Sequence, residues 1–465
     1  MTDAGRAKEK RARGQGFFAL VALGGIIVAA VALGRLGTAP TSAAEGGAAR
    51  SGSWYCPHGG GEGWEVRLQV ANPGEEPVRV RVASFGEEGP AGEPAEFEIG
   101  ARSVRSINVP ADALGAGAMV EYFDGFAAAG WVTESADEKD VPGGVAAEPC
   151  TRDVGTRFLL PDGTAARGED AYAVILNPFA QPAVFTVRLY TPGERPVETP
   201  EQVLRPHHAS AIHLNEFGVL GQPTVAAEVK VSVGRVSAAT LGQTKGGGLR
   251  ASVGVVSGSP QGRVLPGGLD TGTADLAVMN TTTERIELEA HSFTGSGDRT
   301  TAGAQGQPVS PESAATFRPL TTDPTTLYVA AANAAIVTGR RTSGTDGDRA
   351  STVGVPYGTT GPWVVLPAVG GRRPFDTRLY ISNQSPDVAA EVTVTLLGAE
   401  GVSLGRDQQR LSLKPRVTAY VELPHEAPHA AVLVESTGAE VVPAFTSYSN
   451  DRTGYAVSVG VPSPG

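Results

Sequence analysis

The sequence predicts an all-β protein: four tandem β-sandwich repeats of about 100 residues, immunoglobulin- or fibronectin-like, after one N-terminal transmembrane helix. Three observations predict it. The stretch VRLQVANP at 66–73 returns as AYAVILNP at 171–178, ADLAVMNT at 274–281 and TRLYISNQ at 377–384. Asn72, Asn177, Asn280 and Asn383 therefore stand 105, 103 and 103 residues apart, and a period this long marks tandem domains rather than a small-repeat solenoid. After each asparagine comes a run of strict alternation, as in Val78–Val82, Arg285–Glu289 and Glu391–Thr395, which reads as a half-buried antiparallel strand. Turn signals such as Asn72-Pro73-Gly74, Thr191-Pro192-Gly193 and Gly295-Ser296-Gly297 separate seven or eight short runs per unit, a sandwich pattern. A packing in which neighbouring units share strands fits the same pattern.

Residues 1–16 form a basic tail, with Arg6, Lys8, Lys10, Arg11 and Arg13 before an uncharged run from Gly14 to Gly34. The apolar segment 17–34 is long enough to cross a bilayer. The basic flank predicts a cytoplasmic N-terminus and an exported bulk. An uncleaved signal-anchor is expected; the rival is a cleaved signal peptide, with a secreted product. Residues 35–53 lack apolar periodicity and read as a flexible stalk. The four units follow at 54–152, 153–258, 259–358 and 359–465.

Each unit opens with a short apolar run ending at Pro57, Pro161, Pro266 or Pro367. The asparagine ends a strand and starts a turn, where its side chain bonds backbone two residues on. Pro206, Pro311 and Pro415 recur farther along, with Ala101 in the first unit's corresponding place. Aromatic residues are only 6%, so cores of Val, Leu, Ala and Ile are expected. Cys56 and Cys150 are the only cysteines. They flank the first unit on the exported side, where oxidation is allowed, and a disulfide between them is expected. Two buried free thiols are the competing reading, because the corresponding opening positions Leu160, Leu265 and Leu366 are apolar.

Net charge is −11, and no basic stripe suits a phosphate backbone, so nucleic acid is not an expected partner. The acidic first unit reads as a solvated surface. Asp270-Thr271-Gly272 resembles an aspartic-protease loop, but catalysis needs two such carboxylates and the other units lack the triplet. His425 and His429 have zinc-like spacing, yet prolines around them forbid the helix. Asp346-Gly347-Asp348 offers too few oxygens for a calcium loop. His207 and His208 would point opposite ways in a strand. No nucleophile elbow or phosphate-binding loop is present, and no catalytic residue, metal or cofactor is assigned. Trp131 reads as core. Trp64 and Tyr55 are candidate glycan contacts, since flat aromatics stack on sugar rings.

The basic tail, apolar run, WYCP opening and tandem L-x-V-x-N-P units together resemble the uncharacterised exported proteins of actinobacteria grouped as domain of unknown function 5719. The resemblance implies an envelope location and supplies no activity, substrate or site. The expected function is a non-catalytic, single-pass membrane protein with a structural or binding role in the cell envelope. Its partners would be the membrane, through the N-terminal helix, and cell-wall polymer or envelope proteins. A glycan binder using the first unit's aromatics is one alternative, and a hydrolase is another.

Overall fold

The computed structural model describes residues 51–136, 143–245, 248–267, 273–319, 325–343, 349–366, 375–399, 408–423, 431–449 and 454–464. The basic tail, the apolar run 17–34 and residues 35–50 lie outside them, as do Asp270, Asp346, Asp348, Pro367, His425 and His429. Among the described residues there is no α-helix, only a short 3₁₀ turn at Leu214–Glu216.

The first stretch runs β1 (Ser51–Cys56), β2 (Glu65–Asn72), β3 (Val78–Gly86), β4 (Gly89–Pro90), β5 (Ala95–Ile99), β6 (Ser103–Val109), β7 (Gly117–Phe123), β8 (Ala128–Glu134) and β9 (Val145–Pro149). The second runs β10 (Arg157–Gly163), β11 (Glu169–Asn177), β12 (Ala183–Tyr190), β13 (Val197–Glu198), β14 (Gln202–Leu204), β15 (His208–His213), β16 (Val225–Val233), β17 (Ser237–Thr244) and β18 (Leu249–Val253). The third runs β19 (Arg263–Leu265), β20 (Thr273–Asn280), β21 (Ile286–Thr294), β22 (Gly297–Thr300), β23 (Pro308–Val309), β24 (Ser313–Phe317), β25 (Thr326–Ala331), β26 (Val337–Ser343), β27 (Arg349–Thr352) and β28 (Val355–Pro356). The fourth runs β29 (Trp363–Val365), β30 (Phe375–Asn383), β31 (Ala390–Ala399), β32 (Gln408–Leu413), β33 (Thr418–Glu422), β34 (Ala431–Thr437), β35 (Val441–Ser449), β36 (Tyr455–Val459) and β37 (Val461–Pro462).

One pairing order recurs. The orders β1-β7-β3, β10-β16-β12, β19-β25-β21 and β29-β34-β31 form one set of sheets, with the short strands on the outer edge. The orders β6-β2-β8-β9, β15-β11-β17-β18, β24-β20-β26-β27 and β33-β30-β35-β36 form the other. Ser51–Ser53, assigned to the stalk by composition, instead pair with Glu121–Phe123 in β1. Ladder bonds use backbone, so their small polar side chains are no obstacle.

Alternation holds in β3, where Val78, Val80 and Val82 are buried and Arg79 is exposed. It fails in β8, where every residue is buried. The cause is cover on both faces. Leu68 and Trp131 face the first stretch's own core, whereas Val132 and Ala147 join the core of the fourth.

The four asparagines are buried and make one set of bonds. Asn177 Nδ2 donates to the carbonyls of Gln181 (2.8 Å), Leu204 (3.3 Å) and Arg205 (3.0 Å), and its Oδ1 accepts from Phe179 N–H (3.2 Å). Asn72 reaches Glu76, Ile99 and Gly100; Asn280 reaches Glu284, Val309 and Ser310; Asn383 reaches Val388, Leu413 and Lys414. Two residues beyond the last carbonyl in each set, Arg102, His207, Glu312 and Arg416 adopt φ of 49°, 58°, 44° and 51°. That is the left-handed position a type II turn requires, and three of them follow a proline suited to the preceding position. Each donates its N–H back to the residue two past the asparagine: Gly74, Phe179, Thr282 or Ser385.

These turns sit at the joints between stretches. His207 stacks on Phe85 with ring centroids 6.0 Å apart, Arg188 pairs with Glu312 at 2.7 Å, and Arg416 pairs with Asp298. Between the fourth and first stretches, β31 pairs with β6 in parallel at Gly398↔Ser103 and Ala399↔Val104. Inside these joints β9 packs on β18, β18 on β27, β27 on β36, and β36 on β9. The stretches thus close a cycle through like-oriented, head-to-tail contacts.

Beyond each inner strand the chain returns to its own opening strand, at Thr151↔Tyr55, Val255↔Leu159, Val355↔Val264 and Val461↔Val364. The residue before each return is Cys150, Gly254, Gly354 or Gly460. A Cβ on Gly254 would come within 2.8 Å of Leu160, one on Gly354 within 2.8 Å of Leu265, and one on Gly460 within 3.2 Å of Val365. The first stretch replaces this large-and-glycine pair with the Cys56–Cys150 disulfide, Cα atoms 4.6 Å apart. The fourth stretch's counterpart of Cys56 is therefore Val365, not the Leu366 that aligning prolines suggests.

Two outcomes follow. Asn177→Asp keeps the acceptor and deletes the donors, so it should lower unfolding free energy by about 2–4 kcal/mol in denaturant titration, from buried unsatisfied carbonyls. Cys150→Ser alone should cost about 2–4 kcal/mol; Cys56→Leu with Cys150→Gly should recover most of that loss, because it installs the pair the other stretches use.

Candidate functional site

The four returns converge at one end of the inner strands and leave a cavity of about 270 Å³. All four stretches contribute walls to it. Val253, Val255, Val353, Val355, Val459 and Val461 make three sides apolar. The first stretch supplies a different wall: Trp54, the disulfide at Cys150, Arg152 and Asp153.

Two arginines face this cavity, and each is held differently. Arg152 donates from Nη2 to Tyr122 Oη at 2.9 Å and lies 4.5 Å above the Trp54 ring and 5.2 Å from that of Phe126. Trp54 is fixed in turn by its Nε1 donating to Ala127 O at 2.7 Å. Burial pushes the Tyr122 hydroxyl up, opposed by the Arg152 charge. Arg263 is buried and donates from Nε to Val353 O (2.8 Å) and from Nη2 to Gly354 O (2.9 Å). Burial pulls its pKa down to about 10, with Asp153 acting the other way, so it stays charged at neutral pH.

One cluster of buried charges ties two stretches together. At the joint of the second and third, Asp162 meets Arg341 and Ser351, while Glu169 meets Arg250 at 2.8 Å and also Arg349. Burial alone would raise Asp162, but Arg341, Arg250 and Ser351 outweigh it and hold the carboxyl low. In the first stretch Arg67 pairs with Glu134. Two groups stand apart. Glu148, on β9 opposite Trp131, has neither carboxylate oxygen bonded among the described residues, and burial raises its pKa well above 4.5. His58 is buried beside Gly59, and burial lowers it to about 4.

The aromatic pair named from sequence does not form one exposed face. Tyr55 is buried against Phe179 of the second stretch, ring centroids 6.1 Å apart. Trp64 is half-buried and packs on the first core. The cavity aromatic is Trp54, next to Tyr55 on β1, which the sequence did not single out. Trp131 is fully buried in the first core. His207 lies in the left-handed turn, and only His208 belongs to a strand. Among the described residues no group of His, Cys, Asp or Glu is placed to hold a metal ion. Among them, too, no helix is long and apolar enough to cross a membrane.

Fold and site together define an all-β protein of packed antiparallel sheets around an axial, mostly apolar cavity. The chain belongs to the Family of unknown function (DUF5719), whose model matches residues 110–424. No curated protein matches it. Among solved structures it is similar to the one titled "Crystal Structure of Thermotoga maritima 1070", at 16% identity and a TM-score of 0.20, covering 22% of this chain and 92% of that one.

Glu148 generates an expected pH effect. Its folded pKa lies above its unfolded value near 4.5, so its contribution is fully favourable below pH 4.5 and declines as pH rises from there. Glu148→Gln should raise the melting temperature at pH 7–8 and change it little at pH 4. Melting curves across that range check it, and a gap that fails to widen with pH would show that burial does not raise this carboxyl.

Proposed function

We propose that this chain is a non-catalytic, membrane-anchored extracytoplasmic protein with a structural or binding role in the cell envelope. In this reading it comprises four tandem sandwiches of immunoglobulin- or fibronectin-like kind, carried on an N-terminal signal-anchor. The recurring pairing order and the four equivalent asparagine ties support the tandem arrangement. The uncharged run after five basic residues supports the anchor. The disulfide supports an oxidising compartment.

The observation that carries the binding or structural role is where the buried charge goes. Arg341, Arg349, Asp162 and Glu169 join one stretch to the next, which suits a rigid platform, while the axial cavity is left open and largely apolar.

Fractionation tests the address. The full-length chain should sediment with membranes, and external protease should digest residues beyond 35 in intact wall-stripped cells. Recovery in the cytosol with free thiols at Cys56 and Cys150 would end this reading.

A further inference from the structure

We propose that the axial cavity is a binding site for a small apolar molecule bearing one carboxylate. Its ligand chemistry goes beyond the envelope reading and does not rest on it.

The argument starts from charge. Arg152 and Arg263 both line the cavity with Asp153, which leaves one positive charge in excess. Arg152 is held by a hydroxyl and ring faces rather than by a carboxylate. That fixes its guanidinium in place and leaves donors for an incoming anion, and a charge-assisted bond to a carboxylate is the strongest use of them. Arg263 spends Nε and Nη2 on the neighbouring carbonyls, so it shapes the wall and adds field.

Size and polarity set the rest. A cavity of about 270 Å³ lies just below the roughly 300–1,000 Å³ of ordinary ligand pockets and suits a small molecule. Valines from the other three stretches make most of the remaining lining, and an apolar body displaces water from such a surface favourably. The same position in the other stretches carries no such charge: Arg152 follows the return residue Thr151, and the residues following Val255, Val355 and Val461 are Val256, Pro356 and Pro462. The fold therefore does not require a cation there.

Cyclohexanecarboxylate is a probe of the right size, with cyclohexylmethanol and cyclohexylmethylammonium as neutral and cationic counterparts. Ligand-observed NMR on the full chain in nanodiscs, against empty discs, should show saturable carboxylate binding with a Kd of roughly 1 mM or tighter, as expected of a fragment. The ammonium compound should not compete. Arg152→Gln should weaken the carboxylate about tenfold while leaving the alcohol unchanged, and Val253→Trp should abolish both by filling the cavity. Equal binding of ammonium and carboxylate, no effect of Arg152→Gln, or no saturable binding beyond empty discs would each overturn the proposal. Should Val253→Trp fail to fold by its melting curve, Arg152→Gln decides alone.

Discussion

One buried amide per stretch organises the molecule. The asparagine side chain needs two donors, one acceptor and no charge, and only Asn and Gln offer that set. Here it ties the end of one strand, the start of the next and a distant crossover at a single point. That crossover then turns through a left-handed residue whose own N–H returns to the asparagine's loop. The tie does more than close a turn. It presents His207, Glu312 and Arg416 to the preceding stretch, where each makes a joint contact. A local hydrogen-bond problem and the long-range assembly are thus solved by the same residues.

Cyclic closure follows, and it explains the core. Where an inner sheet is covered on both faces, as at β8, its strands need no polar side, and small residues suffice where backbones approach closely. A chain with few aromatics can then bury enough apolar area, because every interior strand contributes both of its faces. The polar residues that do fall inside must be paired. Asp162, Glu169 and Arg341 are; at Glu148 and the imidazole of His58 burial instead disfavours the charged form. Those two bias stability in opposite senses. The carboxyl raised by burial favours low pH, whereas the histidine lowered by burial favours pH above its unfolded value near 6.5 and loses ground as pH falls toward about 4.

Much of this was legible in the sequence. The strand-ending asparagines, the disulfide and the β class all follow from local chemistry: turn formation, thiol pairing and period-two alternation. The cycle was not legible, because β8 and its counterparts read as ordinary apolar runs whether one face or both are covered. Nor was the extra residue in the fourth opening. Proline alignment set Leu366 opposite Cys56, whereas the return pairing places Val365 there. The cavity escaped for a related reason. Its walls come from four positions more than a hundred residues apart or nearly so, each of which looks like a strand end by itself.

Near-repetition also supplies a way to separate fold from function without any relatives. Equivalent positions face equivalent structural demands, so a residue type shared by the stretches is accounted for by the fold. Trp54, Phe158 and Trp363 are buried aromatics one residue before the return pairing, and Arg263 alone replaces them with a charge. Gly254, Gly354 and Gly460 make room for a neighbouring side chain, and Cys150 alone replaces that packing with a covalent bond. Arg152 alone follows its return with a cation. All three departures meet at the same cavity. Packing in the remaining stretches is achieved without them, so packing is not what they add; what they add is a fixed wall, an aromatic-held positive charge and a buried guanidinium around an apolar space.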